Sequence, residues 1–208
     1  MSPRRRGGAA GVLLLLLALG AAGWYFRDTI RGLLGREDET FATAVSPEAA
    51  AQAEAKIARL QEGDSVRLSD VELTSLVRYR YQDRIPGDLH APAVSFRGDT
   101  VRLQARVPSD RIPDVPELGR VRSFLPDTAD VDITGKLQPL ESGRAAFDVD
   151  RITFAGIPIP ERLYPQALER MGRRAEPGLA ETAYPFRLPQ GVGAARVEGG
   201  YLVLSPNR

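Results

Sequence analysis

The chain has no cysteine and a single histidine, His90, among its 208 residues. Without cysteine there is no disulfide, thiolate-bound metal, cysteine nucleophile or sulfur-linked lipid. With one histidine, a zinc site would have to be built from carboxylates. A Ser-His-Asp triad would have to use His90, which lies in the loop-like run Asp88-Leu89-His90-Ala91-Pro92. No Gly-x-Ser-x-Gly elbow is there to present the serine. Gly191-Val192-Gly193 follows no expected strand and opens no expected helix, so it is not a dinucleotide fingerprint. The chain reads as a non-enzyme with no cofactor.

Excess charge is also missing. The 28 basic and 27 acidic residues nearly cancel, and Lys56 and Lys136 are the only lysines. The arginine bias reads first as a compositional habit and only second as a preference for phosphate or carboxylate partners. Four bases, Arg4, Arg5, Arg6 and Arg27, fall in the first 27 residues, which hold no acid, so the remainder is net negative by three. Such a domain has no electrostatic reason to bind nucleic acid. Solenoid-length repeats are absent as well. Hydrophobic residues at 43% and charged residues at 26% are ordinary for a globular protein, so the chain as a whole is not disordered.

What is present begins with an uncharged run from Gly7 to Phe26, most apolar at Val12, Leu13, Leu14, Leu15, Leu16, Leu17 and Leu19. As a helix it spans roughly 30 Å, the hydrocarbon thickness of a bilayer. Trp24, Tyr25 and Phe26 stand where an interfacial aromatic belt belongs, and Arg4-Arg5-Arg6 precedes the run. The expected layout is a cytoplasmic N-terminus at residues 1–6, a transmembrane anchor at 7–26, a stalk at 27–46 and an extracytoplasmic domain at 47–208. That places the protein in a bacterial inner membrane as a single-pass, signal-anchored chain. Ala21-Ala22-Gly23 offers the alternative of signal-peptide cleavage, against which the aromatic triplet argues.

Ser46-Pro47-Glu48 starts a helix ending at Gly63, with Ala50, Ala53, Ile57 and Leu60 on one stripe. That stripe would pack on the domain or serve as a seam for a partner. Ser65 to Leu68 reads as a short strand. Ser69 and Glu72 form a capping box for a helix running to about Asp83, its apolar face Leu73, Leu76, Val77 and Tyr81. Arg78, Arg80 and Arg84 flank it, as a solvated edge or as a surface for headgroups or an acidic partner.

Strands follow. If Arg97 pairs with Thr100 across Gly98-Asp99, Phe96 opposes Val101 and Val94 opposes Leu103, so one face is wholly apolar. Prolines 108, 113 and 116 interrupt the chain, with one helical turn expected at 118–124. A second hairpin sets Val131, Ile133 and Leu137 against Phe147 and Val149 across Glu141-Ser142-Gly143, with a bulge expected near Arg151. A helix with Leu163, Ala167, Leu168 and Met171 on one side comes next, its start made irregular or marked by Pro165. Residues 173–188 have no clear pattern. Val192–Val197 and Tyr201–Leu204 form a third hairpin across Gly199-Gly200. The order is α+β on an antiparallel sheet.

Three segments together resemble a known group of anchored envelope proteins. They are Leu68-Ser69-Asp70-Val71-Glu72-Leu73; Phe154-Ala155-Gly156-Ile157-Pro158-Ile159-Pro160; and Leu188-Pro189-Gln190-Gly191-Val192 before Gly199-Gly200-Tyr201-Leu202-Val203-Leu204. Over residues 64–205 the arrangement resembles the YpmS-like and LmeA-like families, and distantly the tubular lipid-binding (TULIP) superfamily. The resemblance implies a curved antiparallel sheet packed on one or two helices around an apolar groove, with phospholipid or another amphiphile as ligand. The groove would be lined by Leu73, Leu76, Val77, Val94, Phe96, Val101, Leu103, Phe147, Leu163, Leu168 and Leu202. It supplies no catalytic residue.

One polar cluster stands out. Strand parity sets Asp130, Asp132, Asp148 and Asp150 on one face, where they would either hold calcium or form a solvated surface balanced by Lys136 and Arg144. Two functions follow from the whole reading: a binding module for membrane lipid, or a structural or assembly factor with a filled core that binds another envelope protein. Both share the tether. A reporter enzyme that works only outside the cytoplasm, fused after Arg208, should therefore be active in cells. Activity confined to a reporter of cytosolic exposure would overturn the orientation.

Overall fold

A computed structural model of the chain describes residues 44–82, 89–108, 127–170 and 172–207. The expected anchor, most of the stalk, Arg84, the turn at 118–124 and Met171 lie outside them. No helix among the described residues is long and apolar enough to cross a membrane.

Helix α1 runs Pro47–Ala58 and tightens into a 3-10 turn, Arg59–Glu62, that Gly63 ends at φ 94°. Ser46 caps it through its side chain, which accepts from the Ala49 N–H at 3.2 Å. Val45, just ahead of the cap, is already buried, so the packed domain begins slightly before residue 47. Strand β1 (Val66–Leu68) leads to α2 (Asp70–Arg80), which stops short of the expected Asp83. Then come β2 (His90–Arg97), β3 (Thr100–Pro108), β4 (Thr128–Leu140), β5 (Arg144–Phe154) and β6 (Ile157–Pro158). A 3-10 turn, Glu161–Leu163, precedes α3 (Tyr164–Arg170), the irregular start that Pro165 foreshadows. Strands β7 (Ala183–Arg187), β8 (Val192–Glu198) and β9 (Tyr201–Pro206) complete the order.

The domain is α+β and every strand pairing among the described residues is antiparallel, as the sequence led us to expect. One sheet is too few, however. Strands β2-β3-β4-β5 form the larger sheet, with β6 and β7 sharing the outer edge of β5, while β1-β9-β8 form a second. The hairpin turns of the two sheets meet where the Gly200 N–H donates to the Gly98 carbonyl at 3.2 Å. The β2–β3 register is the expected one, with Phe96 opposite Val101 and Val94 opposite Leu103. The bulge falls at Asp150: Val149 pairs with Gly135 and Arg151 with Thr134, leaving Asp150 unmatched. This one-residue insertion keeps Val149 and Ile152 both inside while Asp150 and Arg151 are both exposed.

Residues 173–188 contain β7, which alternation did not reveal because Pro185 sits in its middle. Proline is tolerated there because β7 is an edge strand. Arg173 locks this segment from inside, its buried guanidinium donating to the carbonyls of Ala183 at 2.8 Å and Ala180 at 3.1 Å. His90 opens β2 rather than lying in a loop, and it is exposed as the sequence suggested.

Helix α2 closes the open edge of β2. Thr74 Oγ1 accepts from the Val94 N–H at 2.9 Å and donates to the Val94 carbonyl at 3.1 Å, satisfying both backbone groups that face away from β3. Ser75 accepts from the Ser46 N–H, tying the start of α1 to α2. These contacts explain why α2 buries Thr74 and Ser75 beside Leu73, Leu76 and Val77. Arg78 adds a third link, donating to the Pro92 carbonyl at 2.7 Å. Thr74→Val should cost about 2–4 kcal/mol in urea unfolding, since both Val94 groups would be buried without a partner. Thr74→Ser should recover most of that loss.

Candidate functional site

The two sheets and the α1–α2 pair do not close on each other completely. Between them lies an apolar cavity of about 170 Å³. Its floor is the larger sheet, through Phe96, Val101, Leu137 and Phe147. Leu202, Leu204, Ala195 and Val192 of the smaller sheet form one wall, with Leu68 beside them. Leu73, Leu76 and Tyr81 of the α2 segment, with Ile57 and Leu60 of α1 and its turn, form the roof; Phe186 of β7 closes one side. Of the remaining lining residues, Gln61, Pro189 and Gln190 are exposed and mark the mouth.

The mouth loop is tied at both ends by backbone bonds. Leu188 N–H donates to the Gly143 carbonyl at 2.9 Å, and Asn207 N–H donates to the Gly191 carbonyl at 3.0 Å. Gly191 holds φ 89°, a conformation costly for any residue with a Cβ. On the floor, Gly135 leaves no room for a side chain: a Cβ would stand 2.1 Å from the Asp148 carbonyl oxygen and 2.8 Å from Phe147 Cζ.

Six of the anticipated groove residues line this cavity: Leu73, Leu76, Phe96, Val101, Phe147 and Leu202. Val77, Val94, Leu103 and Leu168 do not; they are among the most deeply buried side chains and fill solid core. Leu163 packs elsewhere, with Ala129, Phe154 and Ile159 in a separate small cluster. Parity selects the inner face but is blind to which inner residues meet a void. The roof residues Ile57 and Leu60 were legible only as a narrow helical stripe, and Phe186 was hidden by the unrecognised strand. Tyr164, which no periodicity singled out, is buried with its hydroxyl accepting from the Ile152 N–H at 3.0 Å.

The four aspartates do not converge. Asp132 takes Arg102 and Gln104, Asp130 takes Arg106, and Asp148 accepts from Thr182 and Gln138. The bulge moves Asp150 out of line, and no three metal-ligating side chains gather among the described residues. The expected balancing bases are engaged elsewhere, Lys136 with Asp99 at 2.8 Å and Arg144 with Glu176. Arg80 likewise pairs with Glu54 across α1 and α2 at 2.8 Å.

No family model matches the chain, and no curated protein or solved structure matches it either. The likeness to the YpmS-like and LmeA-like families therefore rests on the three quoted segments. The structure puts the third of these, Leu188–Val192, at the cavity mouth.

The roof depends on Glu72. Burial alone would raise its carboxyl, but the Lys56 ammonium at 2.6 Å and the Ser69 N–H at 2.9 Å, with the Ser69 hydroxyl, hold it below the ordinary value of 4.5. A lowered folded-state value means the stabilisation is complete above the unfolded value and disappears as pH falls through the folded one. Glu72→Gln can still accept from the Ser69 N–H but loses the charge that faces Lys56, and should cost about 1–2 kcal/mol at neutral pH, the order of one hydrogen bond between charged groups. Urea midpoints measured from pH 7 down through the region below 4.5 should show the gap between the two proteins closing in acid. A gap that stays constant would contradict the assignment.

Proposed function

We propose that the chain is a membrane-tethered envelope protein whose domain binds the alkyl segment of a phospholipid or another amphiphile, and that it is not an enzyme. The cavity carries this reading. An apolar cavity of about 150 Å³ lined by Leu, Ile and Phe stays dry and takes up a small hydrocarbon. A cavity of about 170 Å³ lined by Leu, Val, Phe and Ile offers the same chemistry. Its size suits a segment of one acyl chain, with the headgroup left outside near Gln61 and Gln190. A hydrophobic anchor at residues 7–26 would keep that mouth within reach of its lipid source, a supply that needs no soluble carrier.

The rival reading, an assembly factor with a filled core that binds another envelope protein, loses two of its supports. The seam of α1 is spent on its own domain, where Ala50 and Ala53 are buried. Arg78 and Arg80, offered as a partner surface, make intramolecular bonds. The absent charge surplus argues against nucleic acid as a partner.

The test is native mass spectrometry of the full chain purified from membranes in a mild detergent. One copurified lipid per chain, exchanging with added phospholipid, is the expected result. Ile57→Trp, on the half-buried rim of the roof, should fill the cavity and lower lipid occupancy at least about tenfold, a loss of about 1.4 kcal/mol, while thermal unfolding changes little. A ligand-free wild-type chain, or equal occupancy in the variant, would favour the assembly role.

A further inference from the structure

The opposite face of the larger sheet carries a second depression, unconnected with the apolar cavity. It occupies about 340 Å³ and is lined by Arg97, Thr100, Arg102, Thr134, Arg151 and Thr153, with Asp132 as its one acid. We propose that this depression is a binding site for a phosphate-class oxyanion, either free phosphate or the phosphodiester of a lipid headgroup.

The placement follows from strand register. Arg102 pairs with Thr134, and Thr134 pairs with Arg151, so three strands set two arginines on either side of one hydroxyl. Adjacent strands lie about 4.8 Å apart, which puts the two arginine backbones about 10 Å from each other, a span two converging guanidinium groups can bridge around an anion. Arg151 is there only because of the bulge. Continuous pairing from Val149 would have turned Arg151 inward and Ile152 outward; the extra residue, Asp150, reverses both. Bulges re-aim side chains in this way next to functional sites.

The charge balance favours an anion. Asp132 accepts from Arg102 Nε at 2.6 Å and so uses one edge of that guanidinium. The guanidinium groups of Arg97 and Arg151 make no hydrogen bond or ion pair among the described residues. The neighbouring Lys136 is held by Asp99 and does not line the depression. Two uncommitted guanidinium groups and the hydroxyls of Thr134 and Thr153 make a donor-rich site, while the Thr100 hydroxyl donates to Asp99. Planar guanidinium forks match the paired oxygens of a phosphate better than those of a halide or a neutral sugar.

The test uses the full chain in neutral maltoside micelles, titrated calorimetrically with inorganic phosphate and then with dihexanoyl phosphatidylglycerol. Saturable binding of phosphate, weakened at least about tenfold by Arg151→Gln and also by Thr134→Val, is the expected result. Arg196→Gln, on the exposed face of β8, should leave it unchanged. If phosphatidylglycerol competes with phosphate and Arg151→Gln weakens both, the natural ligand class is the lipid headgroup; if only phosphate binds in an Arg151-dependent manner, it is a soluble phosphate. Because Ile57→Trp blocks the apolar cavity but not this face, phosphate binding should survive in that variant. Absence of saturable binding of either probe, or equal binding by wild type and Arg151→Gln, would overturn the proposal.

Discussion

One threonine hydroxyl decides how the helices meet the sheet. Antiparallel pairing with β3 leaves the N–H and C=O of Val94 pointing outward, and a buried strand edge cannot be left without partners. Thr74 supplies both a donor and an acceptor from a single side chain. Helix α2 therefore lies along the edge of β2 rather than across the sheet face. That choice leaves the inner face of the larger sheet free to be approached by the smaller one. The bonds from Ser46 to Ser75 and from Lys56 to Glu72 then set α1 against α2.

The cavity is what remains when these constraints are met together. Two sheets that touch at their hairpin turns, through Gly98 and Gly200, and a helix pair anchored at one edge cannot all converge on one line. Close packing prevails around Val94, Leu103 and Val77, and gives way to a cavity where the two sheets and the helix pair come together, around Leu76, Phe147 and Leu202. Protein side chains do not fill this apolar space, so its lining residues forgo some dispersion contacts with one another. In a protein whose N-terminal run has the length and flanks of a bilayer anchor, acyl chains would be plentiful at its mouth.

The two faces of the larger sheet thus have opposite chemistry. Inward, Val101, Ile133 and Phe147 present hydrocarbon; outward, Arg102, Asp132, Arg106 and Asp130 form a ladder of paired charges. The ladder uses each aspartate separately, which is why an oxygen-rich face does not become a cation site. The same ladder leaves Arg151 over, because the bulge adds a base to this face while taking Asp150 off the regular register.

Local periodicity and end signals were enough to read the Ser69–Glu72 box, the Gly98–Asp99 hairpin with its register, the bulge by Asp150 and the antiparallel α+β class. All of these depend on residues within a few positions of each other, and the chain spells them out. The burial of Thr74 and Ser75 and the strand around Pro185 were not legible, because their partners Val94, Ser46 and Ala146 are distant or belong to another strand. Alternation told which side of each strand is apolar, and so found Phe96, Val101 and Phe147, but assigned Val94 and Leu103 to the same groove. Whether an inward side chain meets another side chain or a void depends on how the layers sit against one another. Long-range bonds such as those from Thr74 to Val94 and from Gly200 to Gly98 help set that placement, and only the tertiary structure decided it.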